Sequence, residues 1–86
     1  MITFCILGDM GSGYKEQHDV SSAMIKNIKQ NNVQFICGLG DNIYPAGCYK
    51  PDDPQFIEKF EKPYKKIPNK IKFYMCLGNH DYGNYW

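Results

Sequence analysis

The run Val33-Gln34-Phe35-Ile36-Cys37-Gly38-Leu39, followed at once by Gly40-Asp41-Asn42-Ile43-Tyr44, decides the fold. A short apolar run rich in β-branched and aromatic residues, closed by a glycine corner, reads as a strand; a buried helix needs a longer stretch. The same arrangement occurs on either side of it. Ile2-Thr3-Phe4-Cys5-Ile6-Leu7 ends in Gly8-Asp9, and Ile71-Lys72-Phe73-Tyr74-Met75-Cys76-Leu77 ends in Gly78-Asn79-His80-Asp81. Near-continuous apolarity, in place of strict alternation, predicts strands covered on both faces, as in a parallel sheet.

The segments between the strands carry a helical period. Val20, Met24 and Ile28 recur every fourth residue with Ala23 and Ile25 beside them, capped by Asp19 or Ser21 and ended by Asn31-Asn32. Phe56, Phe60 and Tyr64 repeat that spacing, with Asp53 as N-cap, Pro54 as first helical residue and Pro63 ending the helix near Lys62. The predicted order is β-α-β-α-β, an α/β parallel-sheet unit with right-handed crossovers.

With 86 residues there is room for one small domain, and 43% hydrophobic with 22% charged residues is too apolar for a disordered chain. The net charge of +1 gives no electrostatic case for nucleic acid or an anionic membrane. All ten basic residues are lysines, so the bidentate arginine fork for phosphate is missing and a metal ion is the obvious other source of positive charge. The N-terminal apolar run is too short for a signal peptide, and no run approaches a membrane span. Cys5, Cys37, Cys48 and Cys76 form no C-x-x-C pair, and three of them lie in apolar runs, which favours reduced thiols and a cytoplasmic location.

In an open parallel sheet the ligand site lies outside the carboxyl ends of the strands. All three glycine corners fall on that edge, so neighbouring strands would bring Asp9, Asp41, Asn79, His80 and Asp81 together. Two carboxylates about 4 Å apart repel by about 4 kcal/mol at an effective dielectric of about 20, so a shared proton, a lysine or a cation must offset them. Oxygen and nitrogen donors without a thiolate favour hard ions such as Fe(III), Mn, Mg or Zn. Other phosphate devices are missing: there is no G-x-x-x-x-G-K-[ST] loop, the glycine order Gly8, Gly11, Gly13 is wrong for a dinucleotide fingerprint, and no G-x-S-x-G elbow occurs.

Gly8-Asp9-Met10-Gly11, Gly40-Asp41-Asn42-Ile43-Tyr44 and Gly78-Asn79-His80-Asp81 resemble the D-x-G, G-D-x-x-Y and G-N-H-D blocks of the calcineurin-like metallophosphoesterases. Tyr44, and the trailing Gly83-Asn84, point to the purple acid phosphatase branch. The resemblance implies a β-α-β-α-β piece of a four-layer α/β/β/α sandwich, with residues 1–86 the N-terminal part of the phosphoesterase domain. It implies a dinuclear centre of Fe(III) plus Fe, Zn or Mn. Asp9 would ligate the first metal, Asp41 bridge both, Tyr44 bind Fe(III) as a phenolate, Asn79 ligate the second metal and His80 meet the phosphate monoester. The family's later V-x-x-H and G-H-x-H blocks do not occur in these 86 residues, so the resemblance leaves the centre incomplete and inactive in this chain alone, with a separate C-terminal-half polypeptide as one possible partner.

Three strands and two helices also leave one apolar sheet face uncovered, which gives a rival reading as a catalytically dead binding or assembly module docking through that face. A response-regulator-like Mg²⁺ domain fits the acidic cluster but not Tyr44 or the G-N-H-D block. His18 reads as a solvated helix-entry residue and Asn42 as a loop brace. Asp81 either orients His80 or caps the next segment. The lysines from Lys59 to Lys72 read as a solvated face. Tyr49, Tyr82, Tyr85 and Trp86 line either a substrate cleft or a docking edge.

Overall fold

The computed structural model describes residues 1–83. Asn84, Tyr85 and Trp86, named above from the sequence, lie outside the described residues. Strands β1 (Phe4–Leu7), β2 (Phe35–Gly38) and β3 (Lys72–Met75) form one parallel sheet in the order β1-β2-β3. Cys5, Ile36 and Phe73 lie in one register row, and Ile6, Cys37 and Tyr74 in the next. The α/β parallel-sheet reading holds, with each strand shorter than its apolar run.

Helix α1 (Lys15–Asn31) begins four residues before the expected Asp19 cap. The reason is polar. Gln17 Oε1 accepts the Gly13 N–H at 2.8 Å, and Ser12 Oγ accepts the Tyr14 N–H at 3.1 Å, which satisfies donors at the helix entry. Asp19 instead pairs with Lys15 at 2.8 Å on the surface. At the other end Asn32, in the left-handed region at φ 52°, stops the helix where the Asn31-Asn32 pair was expected to.

The buried stripe of α1 is Gln17, Ser21, Met24 and Ile28, while Val20 is 49% exposed. The apolar period thus located half of the stripe. Gln17 and Ser21 pack inward because their hydrogen bonds are met: Gln17 Nε2 donates to the Lys59 carbonyl at 2.7 Å, and Ser21 Oγ donates to the Pro63 carbonyl at 2.5 Å.

The second crossover is not the α-helix that Phe56, Phe60 and Tyr64 predict. Asp53 does cap it, its Oδ1 accepting the Gln55 N–H at 2.9 Å. The chain then widens into a π-helical turn, Ile57–Glu61, closed by the Lys62 N–H on the Ile57 carbonyl at 2.9 Å. Pro63 has no N–H to give to the carbonyl four residues back, that of Lys59. Gln17 of α1 supplies the missing donor, so the defect in one element is repaired by the other.

Core and bare face follow from the strand pleat. Ile36, fully buried at the centre, packs with Met24, Ile28, Val33, Tyr64, Ile67 and Ile71 under α1 and the 54–67 segment. Burying such a side chain contributes about 1.5–3 kcal/mol. The opposite face carries Phe4, Ile6, Phe35, Cys37 and Tyr74. Phe4 stacks on Phe35 with ring centroids 4.9 Å apart, and Ile6 and Tyr74 are each 60% exposed. The count of three strands and two helices predicts this bare face: among the described residues one face of the sheet is covered, and the second cover that the continuous apolarity calls for is not among them.

Candidate metal centre

The three glycine corners interlock at the carboxyl edge of the sheet. The Asp9 N–H donates to the Gly40 carbonyl at 3.0 Å, and the His80 N–H donates to Asp41 Oδ1 at 2.9 Å. A Cβ on Gly40 would lie 2.8 Å from the Gly78 nitrogen, and one on Gly78 would strike the Asp41 carboxylate. Backbone approach this close requires glycine. Asp9 and Asp41 both adopt the left-handed region, at φ 54° and 55°, which costs about 1–2 kcal/mol for a residue with a side chain. Neighbouring corners hold the strain, and both carboxylates turn toward one rim.

Tyr44 joins them. Its Oη donates to Asp9 Oδ1 at 2.7 Å and lies 3.3 Å from Asp41 Oδ2. Burial, reinforced by those two carboxylates, pushes the phenol well above its ordinary pKa. The Tyr44 proton is thus shared between the charges of Asp9 and Asp41. A highly charged cation reverses that logic, since its field favours the phenolate.

His80 stands beside this group. Its ring centroid is 4.5 Å from that of Tyr44, and Nδ1 lies 2.7 Å from the Pro45 carbonyl. Because a carbonyl only accepts, Nδ1 carries the proton. Asn79 opens the turn Asn79–Tyr82 and is exposed, and no hydrogen bond among the described residues ties its side chain to Asp9, Asp41 or Tyr44. Four of the five expected residues are thus linked by direct contacts, and Asn79 is adjacent in sequence to one of them.

Asp81 resolves the alternatives left open for it. Its carboxylate accepts the N–H groups of Gly78 (2.9 Å), Asn42 (2.8 Å) and Ile43 (3.1 Å). It caps its own turn and clamps the Asp41 loop to it, while the His80 ring is held by Pro45. Asn42 braces the same junction, its Nδ2 donating to the Cys76 carbonyl at 2.8 Å. His18 is exposed on α1, as expected.

The solvated lysine face needs one correction. Lys62, Lys65, Lys66, Lys70 and Lys72 are exposed, but Lys59 is half-buried. Its ammonium donates to the Tyr44 carbonyl and, at 2.8 Å, to Gln55 Oε1. No apolar pattern signals this. The available clue is that Lys59 lies four residues after Gln55 and four before the helix-ending Pro63.

Among the described residues no three His, Cys, Asp or Glu side chains gather into one group. Two carboxylates and a phenol, all hard oxygens, suit one highly charged cation, and their shared proton marks where positive charge is wanted. A second cation would have the opposite side of Asp41 and the Asn79 amide, a thin donor set. Tyr49 and Tyr82 are exposed at 91% and 64%.

The calcineurin-like phosphoesterase family model matches residues 2–86, and the chain belongs to that family. Purple acid phosphatase 4 of Arabidopsis thaliana is 35% identical over 82 residues, covering 94% of this chain and 24% of that protein. Purple acid phosphatase 17 of the same plant is 33% identical with the same coverage. A solved structure described as GAP50, the anchor in the inner membrane complex of Plasmodium, matches 98% of this chain and 27% of its own, with TM-score 0.86 and 30% identity. The chain therefore spans about a quarter of the length of these relatives. No helix among the described residues is long and apolar enough to cross a membrane.

Proposed function

We propose that this chain is the N-terminal part of a metal-dependent phosphoric monoester hydrolase of the purple acid phosphatase type. The observation that carries the reading is the Tyr44 phenol reaching both Asp9 and Asp41. Asp9 and Tyr44 would hold Fe(III), Asp41 would serve both cations, and Asn79 would begin the site for Fe, Zn or Mn. When bound, the pair of cations supplies Lewis acidity and lowers the pKa of a water. His80, its Nδ1–H fixed on Pro45, directs Nε2 chemistry toward the departing alkoxide, giving up a proton when the ring is charged. The His80 N–H keeps Asp41 turned to the rim, and the Asp81 clamp keeps both loops in register. Asp41 and the Asn79 amide are a thin donor set for the second cation, so these residues by themselves would hold it weakly. Four free thiols suit a reducing, cytoplasmic setting.

The test is colour. Fe(III) added to the purified chain should give a visible phenolate-to-iron absorption band that Tyr44→Phe abolishes. A band of equal strength in that variant, or none in the native chain, removes the reading. A second reading, a catalytically silent binding module, is favoured by the bare apolar sheet face and by the structural neighbour described as an anchor. It predicts a stoichiometric complex through that face in a chain that takes up no iron.

A further inference from the structure

We infer that Lys59 makes the space beside the Asp9–Tyr44 rim selective for phosphate monoesters whose alcohol portion carries a second anionic group, an inference that rests on the phosphoesterase reading of that rim. An open cavity of about 420 Å³ abuts Asp9 and Tyr44 and is completed by Ser12, Tyr14, Pro45 and Lys59. Its walls include one cation. Two acceptors, the Tyr44 carbonyl and Gln55 Oε1, hold the Lys59 ammonium in place. Both acceptors are neutral, so the charge is fixed in position without being cancelled. No carboxylate among the described residues forms an ion pair with it.

The lysine stem is held too. A Cβ on Gly13 would meet the Lys59 Cγ at 3.1 Å, and the Lys59 carbonyl is bonded by Gln17. An ammonium has three donors, and two are used here, which leaves one N–H for a ligand. A phosphoryl group seated against Asp9 would leave its ester substituent in the same cavity, whose lining includes Lys59. An uncharged substituent gains nothing from a fixed ammonium, whereas a carboxylate or second phosphate gains a charge-assisted hydrogen bond.

The experiment compares ethyl phosphate with phosphoglycolate, which adds a carboxylate to a substituent of similar length. Each is titrated into the chain loaded with Ga(III), a diamagnetic ion of the charge and size of Fe(III), and followed by amide NMR shifts at Gly8, Gly13 and Gly40. Phosphoglycolate should bind about three- to fivefold more tightly, the upper part of the range for an exposed ion pair, because the ammonium is already held in place. Lys59→Met should bring the ratio of the two affinities close to one, and Lys59→Arg should retain most of it. If the native chain binds both equally, the inference is overturned and the metal-site reading stands. If neither ligand moves the Gly8 or Gly40 amides, both fall. Because the native chain alone yields the ratio, a variant that fails to fold does not remove the test.

Discussion

The phenol of Tyr44 donates to the carboxylate of Asp9 at 2.7 Å across 35 residues of chain. It joins the corner after β1 to the corner after β2 and keeps two carboxylates at one rim. With metals chelated, Tyr44→Phe should lower the unfolding free energy by about 1–2 kcal/mol, because a charge-assisted bond goes and Asp9 and Asp41 lose their shared proton. Urea denaturation in a chelator reads this. An unchanged midpoint would mean that the bond does not hold the rim together.

Gln17 is the joint between α1 and the π-helical turn. Gln17→Leu keeps the volume but strips donors and acceptors from the Gly13 N–H and the Lys59 carbonyl, both part-buried. The expected loss is about 2–3 kcal/mol. Gln17→Glu still accepts from Gly13 but sets a buried carboxylate against the Lys59 carbonyl, so it should lose at least as much at neutral pH. Thermal unfolding of both variants ranks them, and a Glu variant as stable as the native chain would contradict the assignment of Gln17 as Pro63's substitute donor.

The strands and their glycine corners were legible because their signal is local: Leu7-Gly8-Asp9 and Leu39-Gly40-Asp41 state strand end, turn and donor in consecutive letters. Asn31-Asn32 likewise ended α1 by local backbone preference. What was not legible depends on partners far along the chain. Gln17 and Ser21 look like surface residues until the carbonyls of Lys59 and Pro63 arrive opposite them. The widening of the second helix follows from Pro63, but the choice of a π turn depends on what satisfies the freed carbonyl. Lys59 was read with its lysine neighbours because sequence shows its charge and not the Tyr44 carbonyl that holds it. Asp9, Asp41, Asn79 and His80 are read from the strand-end corners and Tyr44 from the family resemblance; contacts link Asp9, Asp41, Tyr44 and His80, while Asn79 stands exposed beside them.

Asp81→Ala should unfasten the Asp41 loop. Three backbone N–H groups lose a carboxylate acceptor at once, and the expected destabilisation is about 2–4 kcal/mol. Asp81→Asn keeps one oxygen and should fall between. Hydrogen exchange at the Asn42 and Ile43 amides should speed up in step with the loss. Exchange that stays slow would assign the loop's rigidity to something else.

Acid should weaken the second crossover through Asp53. The Gln55 N–H holds this carboxyl below its usual value. A depressed carboxyl contributes stability that is fully present above its unfolded value, about pH 3.9, and is lost as pH falls through the lower folded value. Asp53→Asn keeps a capping oxygen but does not titrate there. The melting temperatures of native and variant chains should therefore differ at neutral pH and converge toward about pH 2; a constant gap would exclude the charge as the cause.

The bare sheet face makes a contrast between two isoleucines. Ile36 sits in the middle strand against α1 and is fully buried, whereas Ile6, on the edge strand β1, faces the other way at 60% exposure. Ile36→Ala should cost about 2–5 kcal/mol, the range for emptying a packed site. Ile6→Lys should change stability by no more than about 0.5 kcal/mol, because little is packed on it. The lysine should also cut binding of a hydrophobic dye and self-association at high concentration, since it places charge beside Phe4, Cys37 and Tyr74 on an edge strand. Sedimentation and urea titration of the two variants measure both effects. Were Ile6→Lys as damaging as Ile36→Ala, the face would have to be covered in solution, and the uncovered sheet would not describe the chain as it exists there.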